Sequence, residues 1–124
     1  MPTLPLDADN FQATITDNAT VIVDFWAPWC GPCRNFAPTF EAAAEKRPDI
    51  VFAKVNTEEQ QAIAAAFNIR SIPTLMIFRD QIAIYSEAGA LAPASFDQLI
   101  EQAMALDMDQ VRKEIAGQSP SDAT

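Results

Sequence analysis

Histidine is absent from the 124 residues, and only two residues are cysteine. The lack of imidazole excludes Ser-His and Cys-His nucleophile pairs and every zinc site that needs a histidine ligand. Two cysteines cannot supply the four thiolates of a histidine-free zinc site within one chain. They stand at positions 30 and 33, too close together to be a framework that staples distant segments. The chemistry left open is that of the cysteine pair itself.

Positive charge is also scarce, because 8 Lys and Arg face 17 Asp and Glu and leave a formal net charge of −9. Nucleic acids and anionic membrane surfaces bind proteins through a positive footprint, so we expect neither as a partner. No run approaches the ~18 apolar residues that indicate a membrane span. The first ten residues lack the basic start and apolar run of a signal peptide. These features favour a protein of the reducing cytoplasm.

The chain is long enough for one domain that buries its own core without disulfide or metal staples. Hydrophobic patterning and turn signals predict an alternation of helices and strands. The predicted elements are a helix over 7–15, a strand over 20–26, a helix over 31–46, a strand over 50–55, a helix beginning after 60, strands over 74–78 and 82–85, and a helix beginning at 93. This order predicts an α/β fold, in which a mixed sheet carries helices on both faces and a hairpin at one edge.

The two cysteines lie in the segment Trp29-Cys30-Gly31-Pro32-Cys33, which follows a predicted buried strand and opens a helix. At this place the free backbone N–H groups and the positive end of the helix dipole point towards Cys30. Both favour the thiolate over the thiol, so we expect Cys30 to be nucleophilic near neutral pH. Cys33, one helical turn further on, is expected to lie behind Cys30 and to be less exposed.

Such a pair is suited to dithiol–disulfide exchange. Attack by Cys30 on a substrate disulfide forms a mixed disulfide, and Cys33 then attacks that bond, which releases the reduced substrate and leaves the two cysteines oxidised. Two other interpretations remain at this point. The pair could be half of a zinc site completed by a second subunit, or it could be a purely structural disulfide, although so small a loop removes little chain entropy.

Two charged residues, Asp24 and Lys54, stand inside predicted strands that are otherwise apolar. An isolated charge buried in a sheet is costly, so each is expected to find a partner or to titrate abnormally. Adjacent parallel strands can bring the two together, which predicts a satisfied ion pair. Alternatively, Asp24 has a raised pKa and accepts the proton of Cys33 when that thiol attacks. The strand pattern alone favours neither interpretation.

Three motifs in matching order and spacing resemble the thioredoxin family over about residues 4–106. They are Val-Asp-Phe-Trp-Ala-Pro-Trp-Cys-Gly-Pro-Cys at 23–33, Arg-Ser-Ile-Pro-Thr at 70–74 and Gly-Ala at 89–90. The resemblance implies a central five-stranded mixed sheet flanked by four helices. It also implies a general protein-disulfide reductase without a bound cofactor, which receives electrons from NADPH through a thioredoxin reductase. We expect a monomer whose partners are that reductase and disulfide-bearing client proteins.

The resemblance further implies roles for individual residues. Pro73 is expected to be cis and to face the cysteine pair, and the backbone of Ile72 is expected to pair with an extended substrate segment. A mostly apolar docking groove is implied at Trp29, Gly31, Pro32, Ile72, Pro73, Gly89 and Ala90. Trp26 is expected to be scaffold beneath the site. Asp24 and Lys54 match the buried acid of the family and its neighbouring lysine, which favours the functional interpretation of Asp24.

Two departures from the family pattern affect these expectations. The segments 33–38, 54–58 and 70–73 resemble a bacterial form of the family that usually carries an N-terminal zinc domain with two Cys-x-x-Cys pairs. Those pairs do not occur in these residues, so we expect no zinc or oxidative-stress sensing of the kind attributed to that domain. Asp80-Gln81 replaces the common Asn-Gly hairpin turn, which predicts a weaker or longer turn.

The chain continues past Leu106, near which typical thioredoxins end. We expect a thioredoxin domain over 1–106, a helical extension over 107–116 and a disordered tail over 117–124. Residues at helical spacing in this region form an apolar stripe: Met104, Met108, Val111 and Ile115. The stripe predicts a lengthened or second helix that lies on the domain, or a contact for a partner or a second copy.

Two other functions remain as alternatives to the reductase. A disulfide oxidant or isomerase would use the same cysteines, although the Gly-Pro spacer and the missing signal peptide argue against it. A non-catalytic thioredoxin-like binding module or holdase would use the domain and its C-terminal helix without any cysteine chemistry.

Overall fold

The computed structural model describes residues 2–117, which form a five-stranded mixed sheet with helices on both faces. The strands are β1 (Thr3–Pro5), β2 (Thr20–Trp26), β3 (Val51–Asn56), β4 (Thr74–Arg79) and β5 (Ile82–Ala88). The helices are α1 (Phe11–Asp17), α2 (Gly31–Lys46), α3 (Gln61–Ala66), α4 (Pro93–Ala105) and α5 (Met108–Gly117). The predicted sheet architecture and helical extension are confirmed. The predicted tail, apart from Gly117 at the end of α5, lies outside the described residues.

The sheet has the strand order β1-β3-β2-β4-β5, so β2 is its central strand. It pairs in parallel with β3 over residues 21–26 and antiparallel with β4 over residues 20–25. All its residues except Trp26 are buried, which explains why its sequence, apart from Asp24, is apolar or β-branched without alternation. The parallel pairing places the carboxyl ends of β2 and β3 at the same edge of the sheet.

Each face of the sheet has its own core. On one face, α2 and α4 pack against the sheet through four phenylalanine rings whose centroids lie 5.3–6.4 Å apart: Phe36, Phe40, Phe52 and Phe96. On the other face, α1 and α3 cover a core that includes Val21, Val23, Phe25 and Ile63. Because strand residues alternate between faces, Asp24 lies on the α2 side together with Ile22.

Two elements differ from the boundaries predicted from the sequence. The helix predicted from residue 7 begins at Phe11, because the Asp7 carboxylate accepts hydrogen bonds from the backbone N–H groups of Asp9 and Asn10 and holds a turn there. The pattern alone did not indicate β1, which has only three residues, of which only Thr3 is buried. It forms because β3 offers a free edge for parallel pairing.

The hairpin turn between β4 and β5 is shorter than predicted. Arg79 is paired with Ile82, so the turn consists of Asp80 and Gln81 alone, with φ values of 51° and 69°. Both positive values match a type I′ turn, which normally selects Asn-Gly. The turn keeps this length because the Asp80 backbone N–H donates to the Ala19 carbonyl at 2.8 Å, which fixes its position.

Replacing Gln81 with glycine is expected to stabilise the protein by about 0.5–1 kcal/mol, because glycine adopts a positive φ without the steric strain of a side chain. The measurement is the urea midpoint at unchanged slope. Gln98→Gly is the matched control. Gln98 is exposed within α4, where glycine should destabilise by about 1 kcal/mol. A midpoint for Gln81→Gly at or below that of the wild type would show that the turn is not strained.

The C-terminal helix α5 is separated from α4 by a short break. The Asp107 carboxylate accepts hydrogen bonds from the backbone N–H groups of Asp109 and Gln110, which starts the new helix. Met108 is buried, and Arg112 forms an ion pair with Asp80 at 2.9 Å. The helix therefore lies against the domain at the hairpin end of β4, opposite the end that follows Pro73.

Candidate active site

The cysteine pair lies where β2 leaves the sheet and α2 begins. The backbone N–H of Cys30 donates to the Ala27 carbonyl at 3.2 Å and closes a turn after the strand. Gly31 opens α2, Pro32 stands in its first turn, and Cys30 is its N-cap residue. The sequence folds this way because the apolar run ends at the sheet edge and proline pre-sets the helical φ.

Cys30 and Cys33 form a disulfide in this structure, with their Cα atoms 5.2 Å apart. The backbone N–H of Cys33 donates to the Cys30 sulfur at 3.2 Å, so a free helix N–H group points at that atom. Cys30 is 5% exposed and Cys33 is 2% exposed. Cys30 thus lies nearer the surface and in contact with the N-terminal groups of α2, which matches the placement predicted for an attacking thiol.

The loop before β4 faces the cysteines. The Ile72–Pro73 peptide bond is cis, as the resemblance implied, and the Ile72 carbonyl oxygen lies 3.8 Å from the Cys30 sulfur. The Ile72 side chain packs against a small cluster formed by Ala27 and the two cysteines. Two distant parts of the sequence therefore meet at one reactive sulfur.

The other residues predicted for docking surround this point. Trp29 is 62% exposed, and Pro32 is also exposed. The backbone N–H of Gly89 donates to the Pro73 carbonyl at 2.8 Å, which brings Gly89 and its neighbour Ala90 to the same side. Gly89 has a φ of +120°, a conformation that favours glycine. The structure thus gathers these residues around the cysteines, and their role in docking stays a prediction.

Asp24 is the charged group beneath the site. Its side chain is 0% exposed, and among residues 2–117 neither carboxyl oxygen meets a hydrogen-bond partner. Burial raises the pKa of Asp24 from 3.8 to about 7, although the positive charge of Lys54 acts in the opposite direction. A carboxyl group that titrates near neutral pH is suited to accept and return a proton.

Lys54 is the cross-strand neighbour of Asp24 in the β2–β3 register, as the strand pattern predicted. The two side chains nevertheless form no ion pair, because the Lys54 ammonium is not within 4 Å of the Asp24 carboxyl group. Neither Asp24 oxygen has a hydrogen-bond partner among the described residues. The Lys54 ammonium instead lies 4.7 Å from the centroid of the Trp26 ring. The interpretation of Asp24 and Lys54 as a satisfied ion pair is therefore wrong.

Two further residues hold the site and were not predicted. The Arg34 guanidinium donates to the Pro28 carbonyl at 3.0 Å and ties the loop before Cys30 to the first turn of α2. Thr57 donates to the Trp26 carbonyl through its backbone N–H at 2.8 Å and its hydroxyl at 3.0 Å. The motif around Cys33 could have pointed to Arg34, whereas no local signal marks Thr57.

Two general features can be stated for residues 2–117. They gather no group of three or more Cys, His, Asp or Glu side chains that could hold a metal ion. Among their helices, none combines the length and apolarity needed to cross a membrane.

Comparison with known proteins agrees with this geometry. Residues 2–102 match the family described as Thioredoxin. A Streptomyces coelicolor protein named "Putative thioredoxin 2" is 54% identical over 116 residues, which cover 94% of this chain and 87% of that protein. A mutant thioredoxin from Halobacterium salinarum has a TM-score of 0.77 at 33% identity, covering 85% of this chain and 93% of that one. The oxidised thioredoxin from Plasmodium falciparum has a TM-score of 0.74 at 33% identity, with 83% and 99% covered. The chain therefore belongs to the thioredoxin family and is a protein-disulfide reductase, a thiol–disulfide oxidoreductase.

Proposed function

We propose that Cys30 is the attacking thiol and Cys33 the resolving thiol of this reductase. The Cys30 thiolate attacks one sulfur of a client disulfide, and the other client sulfur leaves as a thiolate that takes up a proton. Cys33 then loses its proton and attacks the Cys30 sulfur, and the second client thiol departs. Two electrons pass to the client, and Cys30 and Cys33 become the disulfide. The observation that carries this order is the Cys33 N–H directed at the Cys30 sulfur.

Asp24 is the base that accepts the proton of Cys33 in the second step. Its support is a carboxyl group that is fully buried under α2, lacks a hydrogen-bond partner among the described residues and has a pKa raised to about 7 by burial. At neutral pH such a group exists in both protonation states, so it can take the proton and later give it up. Lys54 assists because its positive charge on the neighbouring strand limits the rise in the pKa of Asp24.

Clients dock as an extended segment across the surface around Cys30. The exposed ring of Trp29 and the half-buried side chain of Ile72 supply apolar contact, and Gly89 leaves the edge of the surface without a side chain. The backbone of Ile72 pairs with the client segment, because β4 begins only at Thr74 and Ile72 lies outside the sheet. Backbone pairing of this kind recognises many sequences, which suits a general reductase.

Thioredoxin reductase returns the electrons from NADPH, and the chain itself binds no cofactor. The protein acts as a monomer in the cytoplasm, and its partners are that reductase and disulfide-bearing clients. The family supports the assignment of thioredoxin reductase and disulfide-bearing clients as partners. The net charge of −9 supports the exclusion of nucleic acid and of anionic membrane surfaces as partners.

The reduction potential of the Cys30–Cys33 pair separates a reductase from the alternative of an oxidant or isomerase. We expect a value near −270 mV, as for thioredoxins, against about −180 to −120 mV for oxidising relatives. The measurement is equilibration with dithiothreitol redox buffers, followed by alkylation and mass determination. A value at the oxidising end, or no reduction of the oxidised chain by NADPH and thioredoxin reductase, would contradict the proposal.

A further inference from the structure

Trp26 contacts one of the two charged groups of the site in a way that the reductase chemistry leaves unexplained. Asp24 and Lys54 are direct neighbours across β2 and β3, and strands in a sheet lie about 4.8 Å apart. An ammonium and a carboxylate at such positions normally form an ion pair when both are removed from water. Here the Lys54 ammonium lies over the Trp26 ring instead, and the Asp24 oxygens are unpartnered within residues 2–117.

The geometry makes the ring and the carboxyl group competitors for one cation. Alternate residues of a strand share a face, so Asp24 and Trp26 both lie on the α2 side of β2. Lys54 lies on the same face of β3, since it alternates with the buried Ala53 of the opposite core. Its flexible side chain can reach either partner. An indole face within about 6 Å of an ammonium attracts it through the ring quadrupole.

We propose that Trp26 is a positioning residue, whose ring holds the Lys54 ammonium away from the Asp24 carboxyl group so that this group stays unpaired and free to take a proton. The inference rests on the proposed role of Asp24 and adds a residue that controls its proton affinity. Trp26 was expected only to be scaffold, and its contacts give it a second task.

The Trp26 ring is held firmly enough for that task. The backbone carbonyl of Trp26 accepts two hydrogen bonds from Thr57, and the Trp26 backbone pairs with Asn56 of β3. Its ring packs against the cluster that contains Cys30 and Cys33. The ring is therefore supported beside the cysteine cluster, where the Lys54 ammonium contacts it.

Lys54 is the only charged group in the described chain that acts on Asp24. On β4 the register neighbour of Asp24 is Leu75. The buried α2 residues over this part of the sheet are Cys33 and Phe36. Of these, only Cys33 titrates, and only when it is reduced. The oxidised protein thus isolates the coupling between Asp24 and Lys54, and direct titration of the carboxyl group can measure it.

The test is the titration of the Asp24 carboxyl group by ¹³C NMR in the oxidised full-length protein. The signal is assigned by its loss in Asp24→Asn. Trp26→Leu removes the ring and should let Lys54 reach the carboxylate, which lowers the Asp24 midpoint by about one pH unit or more. Trp26→Phe keeps a smaller ring with a weaker attraction and should give a smaller decrease. If the leucine variant fails to fold, the Trp26→Phe variant alone still tests the proposal.

The same substitutions in a Lys54→Met background are the matched control. Lys54→Met alone should raise the Asp24 midpoint, because it removes a positive charge, and a change at Trp26 should then have almost no further effect. An equal decrease in both backgrounds would overturn the proposal, since it would mean that Trp26 acts only by excluding water. An unchanged midpoint in Trp26→Leu and Trp26→Phe with Lys54 present would overturn it as well.

A separate readout distinguishes this inference from the proposed function. The rate at which Cys33 resolves a mixed disulfide is measured against pH, and its midpoint should move down with the Asp24 titration in Trp26→Leu. A resolution rate in Asp24→Asn equal to that of the wild type would contradict the role of Asp24 as base. The carboxyl titration would still decide where the Trp26 ring holds Lys54, because it requires no activity.

Discussion

Replacement of Cys30 with serine is expected to reduce the rate of insulin reduction by NADPH and thioredoxin reductase by at least about a thousandfold. The serine hydroxyl is not ionised near neutral pH, so it cannot replace the thiolate that attacks the client disulfide. The structure gives a second reason, since the helix N–H that contacts the Cys30 sulfur cannot ionise an alcohol. The measurement is the oxidation of NADPH with insulin as client.

The Cys33→Ser variant is the matched control, because it alters the second sulfur and keeps Cys30 intact. Turnover should also be lost, yet one equivalent of client thiol should be released as Cys30 forms a mixed disulfide. Rates for Cys30→Ser within about twofold of the wild type would contradict the mechanism. Retention of the biological activity by a variant that lacks both cysteines would favour a binding module or holdase.

Replacement of Asp24 with asparagine is expected to stabilise the protein at pH 8 by about 2–4 kcal/mol. The pKa of Asp24 rises from 3.8 in the unfolded chain to about 7 in the folded protein, where burial opposes the charge. A raised folded-state pKa contributes stability below pH 3.8 that is lost as the pH rises to about 7, in total about 4 kcal/mol. Asparagine carries no charge at any pH, so it avoids that loss, although its buried amide still lacks partners.

Urea unfolding from pH 4 to pH 8.5 measures this effect. The difference between Asp24→Asn and the wild type should be small at pH 4 and should grow up to about pH 7. Asp97→Asn is the control, because Asp97 is exposed in a weak surface ion pair with Lys46 and should change the stability by no more than about 0.5 kcal/mol at any pH. A difference for Asp24→Asn that does not depend on pH would contradict the raised pKa.

The same Asp24→Asn substitution should slow the resolving step of Cys33 by about a hundredfold or more near pH 7, the usual contribution of a general base. The deficit should shrink above about pH 8.5, where an ordinary thiol ionises without assistance. Stopped-flow measurement of mixed-disulfide breakdown gives this rate. A gain in stability together with a loss of rate is expected where a site retains a costly buried charge for its chemistry.

Much of the fold was predictable because its strongest signals are local. The β-branched and aromatic run of Thr20–Trp26 indicated a central buried strand, and the spacing of Phe36 and Phe40 indicated the helix that covers it. The three residues of β1 carry no pattern, because pairing with β3 alone makes them a strand. The turn at Asp80 and Gln81 was predicted to be weaker or longer, because its length depends on contacts with other parts of the chain that no local rule contains.

The site divides in the same way. The Cys30–Cys33 spacing and the segment around Pro73 were visible as motifs, and the register of Asp24 with Lys54 followed from the arrangement of strands. The direction of the Lys54 side chain could not be predicted. It depends on whether the Lys54 ammonium contacts the Trp26 ring or the Asp24 carboxyl group. That in turn depends on the position of the Trp26 ring in three dimensions.

The most direct test of the mechanism is to locate the covalent intermediate. Each single serine variant, Cys30→Ser and Cys33→Ser, is mixed with a disulfide peptide and quenched with acid, and the adduct is mapped by peptide mass spectrometry. We predict a mixed disulfide on Cys30 in the Cys33→Ser variant, formed at the rate of client attack by the wild type, and at least a hundredfold slower adduct formation in Cys30→Ser. Equal rates of adduct formation, or faster formation on Cys33, would contradict the assignment of Cys30 as the attacking thiol.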